Sequence, residues 1–320
     1  MKPPLGLLLA AFGCIYLLWG ATFLAIRFAI ETIPPFLMAG VRFLSAGAIL
    51  YGWCRGAGVP CPERRHWKDA ALLGALLFLG GNGGISWSEQ YVPSGLAALI
   101  IATIPIWMAV LGWLWRIGPP PGAGTWAGLA LGFAGIALLV GPSGTSGGEA
   151  VSLPGAAVLI LASALWAGGS LISRTARLPS HPLMATSMQL LCGGAFLVAL
   201  GLGAGEGRLL DPTSVSLRSW LALAFLVLFG SVVTFSAYIW LLRVSTPARV
   251  STYAYVNPVV ALYLGWGWAG EPVTARTLLA TLVILAGVAV ITTRGPGADR
   301  AVDLPGGAAP RDAVIPREER

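Results

Sequence analysis

Charge is scarce in this 320-residue chain. Only 10% of its residues are Asp, Glu, Lys or Arg, where soluble domains carry about 25%. With 56% hydrophobic residues and a mean hydropathy of +0.79, that scarcity excludes an ordinary soluble domain and implies a polytopic membrane protein. Lysine is scarcer still. Lys2 and Lys68 are the only two, and neither stands in a Gly-Lys-Ser/Thr setting, which excludes a phosphate-binding P-loop and with it a primary pump within the chain. The two histidines, His66 and His181, fall in links between apolar runs. No Gly-x-Ser-x-Gly elbow sits between a strand and a helix, and no pair of carboxylates converges within a run, so the chain is not read as an enzyme. The four cysteines (Cys14, Cys54, Cys61, Cys192) have neither metal-ligand spacing nor the pattern of a secreted disulfide framework. No metal and no cofactor are expected. The net charge of +7 does not point to nucleic acid, because the basic residues sit at the ends of apolar runs, where topology explains them.

What is present is a series of long apolar runs. Cut at Pro, Gly and charge, the chain gives ten: 5–29, 35–55, 69–88, 93–115, 125–141, 153–173, 182–204, 218–241, 248–270 and 274–293. A spanning helix needs about 20 apolar residues. The first run is too long for a signal-peptide core and reads as an uncleaved span. Beyond 294 the composition turns to Gly, Pro, Arg, Asp and Glu, so 295–320 reads as a disordered cytoplasmic tail. With the N-terminus inside, fifteen Lys and Arg fall in inner segments and three (Arg208, Arg218, Arg276) in outer ones. That bias puts both termini in the cytoplasm.

The chain repeats itself. Trp19, Arg27, Pro35 and Gly47 recur as Trp166, Arg174, Pro182 and Gly194, an offset of 147; Trp87 and Pro105 recur as Trp240 and Pro258, an offset of 153. The fold class expected is therefore all-α, ten transmembrane helices as two five-helix repeats, residues 1–145 and 150–294. Five is odd, so the second repeat inserts upside down. Inverted repeats mark secondary transporters, with the substrate between the halves.

Polar and aromatic residues within spans are the candidate contacts. Ionisable groups in a bilayer are expensive and usually functional. Arg42 lies two turns inside its span, either snorkelling to the interface or facing protein, water or a substrate anion. All thirteen acids fall outside the middles of the spans; Glu89, at the end of the third, is the nearest to a buried carboxylate, the alternative being a solvated corner. The only two asparagines, Asn82 and Asn257, stand in apolar helices and need partners, from helix–helix contact or from a solute. Pro105 and Pro258 remove backbone donors and are expected to interrupt their helices beside a cavity. Trp19, Trp107 and Trp166 lie mid-span and Tyr253 and Tyr255 early in the ninth span, as core or as cavity lining. Thr22 and Ser170 share the faces of Trp19 and Trp166. Gly128, Gly132 and Gly135 stripe the fifth span for close packing.

Trp19-Gly20-Ala21-Thr22-Phe23, Ala39-Gly40-Val41-Arg42-Phe43, Gly81-Asn82-Gly83, Val92-Pro93-Ser94-Gly95-Leu96-Ala97-Ala98, Tyr255-Val256-Asn257-Pro258-Val259 and Gly270-Glu271-Pro272 together resemble the drug/metabolite transporter superfamily, and within it the EamA-type exporters. The resemblance covers about residues 5–293. It implies a carrier whose central cavity is lined by spans 1, 3, 4, 6, 8 and 9. It also implies efflux of amino acids, other metabolites or drugs across a bacterial inner membrane, by a monomer or homodimer held among membrane lipids. One departure stands out: the distantly similar four-span exporters carry a proton-binding glutamate in their first span, and the first span here has no acid. Few span cations and an aromatic, amide and hydroxyl lining suit a zwitterion or weakly polar metabolite better than a nucleotide sugar. A structural or receptor-like membrane protein, which has no need of an inverted repeat, or an intramembrane enzyme is the alternative.

Overall fold

The computed structural model describes residues 4–116, 122–140, 152–245, 250 and 252–294. The expected tail, 295–320, and the link at 141–151 lie outside the described residues. All regular structure among the described residues is helical. In chain order the long helices are α1 (Leu5–Ala29), α2 (Pro35–Gly56), α3 (Arg64–Ser88), α4 (Ser94–Leu114), α5 (Ala123–Val140), α6 (Leu153–Ile172), α7 (Pro182–Gly203), α8 (Leu217–Leu241), α9 (Tyr253–Ala269) and α10 (Ala275–Arg294). Seven of them, α1 to α4 and α6 to α8, are long and apolar enough to cross a membrane.

Local chemistry sets the ends. Pro35 and Pro182 open α2 and α7 at the first helical position, where no backbone donor is needed. Ser152 and Ser216 cap α6 and α8 through their hydroxyls. Gly270, at φ +65°, ends α9 in the left-handed region. Helix α3 begins five residues before the expected 69. Glu63 and His66 close a capping box there, so the charged turn Arg64–Lys68 is helical although it is not apolar. The expected break at Pro105 is present: α4 consists of Ser94–Ile101 and Ile104–Leu114, parted at Ala102-Thr103, because the proline ring clashes with the carbonyl four residues back. The break expected at Pro258 is absent; α9 runs through it.

Several pairs of helices meet backbone to backbone, α2 with α7 and α5 with α10 among them. A Cβ on Gly194 of α7 would lie 2.7 Å from the Leu44 nitrogen of α2, and one on Gly40 would lie 2.9 Å from the Val198 nitrogen of α7. On the other side of the bundle a Cβ on Gly287 of α10 would lie 2.7 Å from the Gly128 carbonyl of α5. The small-residue stripe on α5 therefore packs as its spacing suggests, by close approach rather than by side-chain interlock.

Candidate functional site

Besides the break in α4, three of the described helices carry a π-helical turn: α1 at Cys14–Leu18, α3 at Gly74–Asn82 and α8 at Leu228–Val233. Such turns take in an extra residue, push carbonyls off the ordinary ladder and concentrate at functional sites. In an apolar surround those carbonyls need donors, and each π turn here has them. In α3, Asn82 Nδ2 donates to the Leu77 carbonyl at 3.3 Å. In α8, Thr234 Oγ1 donates to the Phe229 carbonyl at 2.5 Å, and the Trp19 indole N–H crosses from α1 to the Gly230 carbonyl at 3.2 Å. In α1, the amide nitrogen of Asn257 reaches over from α9 to the carbonyls of Ile15 and Tyr16, both at 3.0 Å, and to that of Tyr253 at 3.2 Å; the all-acceptor surround fixes the orientation of the amide. Both asparagines thus serve backbone groups at π turns, and Asn257 also ties α9 to α1.

A row of aromatic rings runs between these turns. The Trp19 ring centre lies 5.1 Å from Tyr253, 5.3 Å from Tyr238 and 5.4 Å from Phe235. Phe235 lies 6.2 Å from Phe78, and Phe78 in turn 6.2 Å from Trp166 and 4.8 Å from Phe43. Most of these pairs are edge to face, the arrangement that ring quadrupoles favour. Gly81 makes room for the last link, since a Cβ there would lie 2.8 Å from the Trp166 ring. Trp19, Trp166 and Tyr253 were expected near one another and are brought into this row. Phe43, Phe78, Phe235 and Tyr238 were not singled out. A phenylalanine in an apolar run carries no signal, but Phe235 and Tyr238 stand at i and i+3 on one helix face, a spacing that could have been read.

The other expected residues are placed as follows. Arg42 does not snorkel: it is 4% exposed, its Nε donates to Ser231 Oγ in the π turn of α8 at 3.0 Å, and its guanidinium lies 4.7 Å from the centre of the Phe43 ring. Thr22 and Ser170 return their hydroxyls to the carbonyls of Trp19 and Trp166, at 2.5 and 2.8 Å. Trp107 stands apart, edge-on to Phe133 of α5, and the Tyr255 hydroxyl donates to the Val288 carbonyl of α10. Neither belongs to the row.

The end of the bundle that carries the 89–93 link is laced by carboxylates. Glu206, in the link after α7, is 6% exposed and accepts from the Phe36 and Leu37 N–H groups at the start of α2, at 3.2 and 2.8 Å. Glu271, in the link after α9, accepts from Ser94 and Gly95 at the start of α4, at 2.7 and 3.0 Å. Each carboxylate meets the positive end of a helix. In the sequence both count only among the acids outside the middles of the spans, in or beside outer links, with nothing to name a partner. Glu89 is fully buried with neither carboxylate oxygen hydrogen-bonded, while Arg27 donates to its backbone carbonyl at 2.6 Å.

Two cavities lie away from this centre. One of about 390 Å³ is lined by Arg64, Arg65, Lys68, Asp69 and Arg177, the other of about 80 Å³ by apolar residues such as Ile33, Leu37 and Trp220. None of the expected contact residues lines either.

The sequence pattern of the EamA-like transporter family matches residues 4–141 and 153–293. An uncharacterized inner membrane transporter of Escherichia coli, YedA, is 39% identical over 287 residues, which cover 89% of this chain and 90% of that protein. An uncharacterized transporter of Bacillus subtilis, YvbV, is 25% identical over 90% of this chain and 91% of its own length. The chloroplastic WAT1-related protein At3g02690 of Arabidopsis thaliana is 28% identical over 86% of this chain and 67% of its own. A crystal structure 22% identical in sequence superposes with a TM-score of 0.59, covering 90% of this chain and 96% of its own; that likeness speaks for the fold alone.

Proposed function

Because this chain belongs to the EamA-like transporter family, we propose that it is a secondary carrier. In this reading it exports small organic solutes, amino acids or drugs among them, across a bacterial inner membrane by alternating access. The observation that carries the reading is the meeting of three π turns, one aromatic row and the buried Arg42 at a single place. A solute passing there replaces ring–ring contacts by its own contacts with Trp19, Tyr253 and Trp166, and an anionic group on it finds Arg42. Thr22, Asn82, Ser170 and Asn257 hold backbone groups and meet solute as the π turns rearrange, while Trp107, Tyr255 and Glu89 meet it outside the aromatic row.

The same proposal includes ten spans in two inverted repeats, 1–145 and 150–294, with both termini cytoplasmic and the 89–93 end outside. Its supports are the two stretches of similar length that match the family pattern and the bias of basic residues toward one set of links. The glycine seams add a third. α2 and α7 correspond by the offset of 147, Gly135 and Gly287 correspond in α5 and α10, and each helix packs on its counterpart. Helices astride a two-fold axis meet their own equivalents in this way. α5, α9 and α10 bring the seven longer helices to ten.

The test is efflux from liposomes that contain the purified protein and are loaded with a mixture of labelled amino acids. Expected is release of one or more solutes faster than from empty liposomes, slowed by Trp19→Ala. Protein that is helical by circular dichroism yet moves nothing refutes the carrier reading. A fusion reporter that places the C-terminus outside refutes the topology.

A further inference from the structure

A buried carboxylate normally has hydrogen-bond partners, because an isolated charge or an unpaired polar atom is expensive away from water. Glu206 and Glu271 obey this rule. Glu89 does not. It is 0% exposed, and both its oxygens lack a hydrogen-bond partner among the described residues, as do the buried hydroxyls of Ser86, Ser88 and Ser94 near it in the chain.

The groups that face Glu89 are few. Arg27 comes from α1 and donates to the Glu89 backbone carbonyl, not to its side chain. Arg42 comes from α2 and is engaged through Nε with Ser231. Glu271 comes from the link before α10 and holds the start of α4. α6, which packs against the end of α3, presents no titratable residue. No ion pair within 4 Å joins Glu89 to either arginine among the described residues; the two pairs found, Arg65–Glu63 and Arg218–Glu31, lie at the exposed rims. Glu89 stands one residue past the end of α3. There burial, reinforced by Glu271 and opposed by Arg27 and Arg42, pushes its carboxyl well above the usual carboxylate range.

We propose that Glu89 is a proton-binding site of this carrier: it holds a proton while the 89–93 end is sealed and releases it to water when that end opens. The proposal rests on the alternating-access reading, but protonation can be tested without any solute. The step is a simple dissociation, the carboxylic acid giving a carboxylate and a proton taken up by water. Its sign follows from linkage. A carboxyl with a higher pKa in the sealed form than in the open one binds its proton more tightly when sealed. Raising the pH between those two values therefore favours opening, and lowering it favours the seal. The seal itself is the carboxylate lacing described above, in which Glu271 pins the start of α4 directly after the Glu89 corner.

The experiment is an infrared pH titration of the purified full chain, following the carbonyl band of a protonated carboxylic acid, paired with deuterium exchange over residues 85–96. Expected is a protonated-acid band at neutral pH that is lost as pH rises, absent in E89Q and kept in E271Q. In E89Q the 85–96 amides lose the extra opening with pH that the wild type shows. Should E89Q fail to fold, R27Q provides the reading. Removal of a nearby cation must shift the midpoint of the band upward. A wild type with no such band, a band that persists in E89Q, a midpoint unmoved or lowered in R27Q, or a band that responds to sodium at fixed pH would each overturn the assignment. A carrier that moves no amino acid but shows the band fails the proposed function and keeps the proton site.

Discussion

Glu206 offers a test of how far one side chain holds the link after α7 to the start of α2. A helix start leaves up to four backbone donors without partners. At α2 the number is reduced to two. Pro34 and Pro35 have no N–H, and the Met38 N–H already reaches the Pro34 carbonyl. The remaining donors, Phe36 and Leu37, both go to Glu206 from 169 or more residues away. A hydrogen bond to a charged group contributes about 1.5–3 kcal/mol. Phe36 is half-buried and recovers part of its loss from water, so Glu206→Ala is expected to destabilise by about 2–4 kcal/mol. Glu206→Gln keeps one acceptor oxygen and loses the charge at the helix end, for about 1–2 kcal/mol. At about 2 °C per kcal/mol for a chain of this size the alanine variant should lower the apparent Tm by about 4–8 °C. Glu31→Ala removes an exposed pair with Arg218, worth about 1 kcal/mol or less, and should move it by about 2 °C at most. The assay is thermal unfolding of the purified protein in one detergent, followed by far-ultraviolet circular dichroism. An alanine variant as stable as the wild type, or a glutamine variant weaker than the alanine one, would refute the cap as described.

Trp19→Phe should cost about 1 kcal/mol, the bond to the Gly230 carbonyl, whereas Trp19→Ala should cost about 3–5 kcal/mol, because three rings lose their neighbour; equal stability of Trp19→Ala and wild type in the same unfolding assay would mean that the ring lies against open space. Gly287→Ala drives a methyl group against the Gly128 carbonyl and the Gly132 nitrogen, backbone that cannot step aside, and should destabilise by about 1–3 kcal/mol, while Gly267→Ala, with nothing within 4 Å, should leave the Tm unchanged. Asn257→Ala strips the donor from the carbonyls of Ile15 and Tyr16 and should destabilise by about 1–3 kcal/mol, with faster deuterium exchange confined at first to residues 12–19; uniform exchange along α1 would argue against a local role.

The apolar runs foretold the helices to within a few residues, because length and hydropathy decide what can cross a bilayer. The starts of α3 and α9 each differ by five residues; at α3 the cause is a capping box that lies outside any apolar pattern, and α9 begins at Tyr253. Trp107 stands outside the aromatic row, but the two other mid-span tryptophans, Trp19 and Trp166, pointed to it because an indole there breaks the preference for interfaces. Its other members did not announce themselves, since Phe78 and Phe235 look like any core residue. The π turns were invisible for a firmer reason. A period of 3.6 residues averaged over a run cannot register one extra residue, and only the traced backbone, with the carbonyls of Ile15, Leu77 and Gly230 taking side-chain donors, reveals it. Asn82 and Asn257 stood out as polar residues in apolar helices, yet their partners are main-chain atoms, which sequence does not name.

Each π turn also sets a rule about insertions and deletions. Such a turn is, in effect, one residue inserted into an α-helix. Deleting a residue between 74 and 82 would let α3 wind as an unbroken helix and rotate one part of it against the other by about 100°. The reverse process needs no mutation. A bulge that migrates along its helix rotates only the residues it passes and leaves both ends of the helix in place. Phe78 lies inside its own π turn and is the ring that touches both Phe235 and Trp166. A bulge moving past Phe78 would therefore swing that ring together with its neighbours in the turn, and the aromatic row would part there while both ends of α3 stayed where they are.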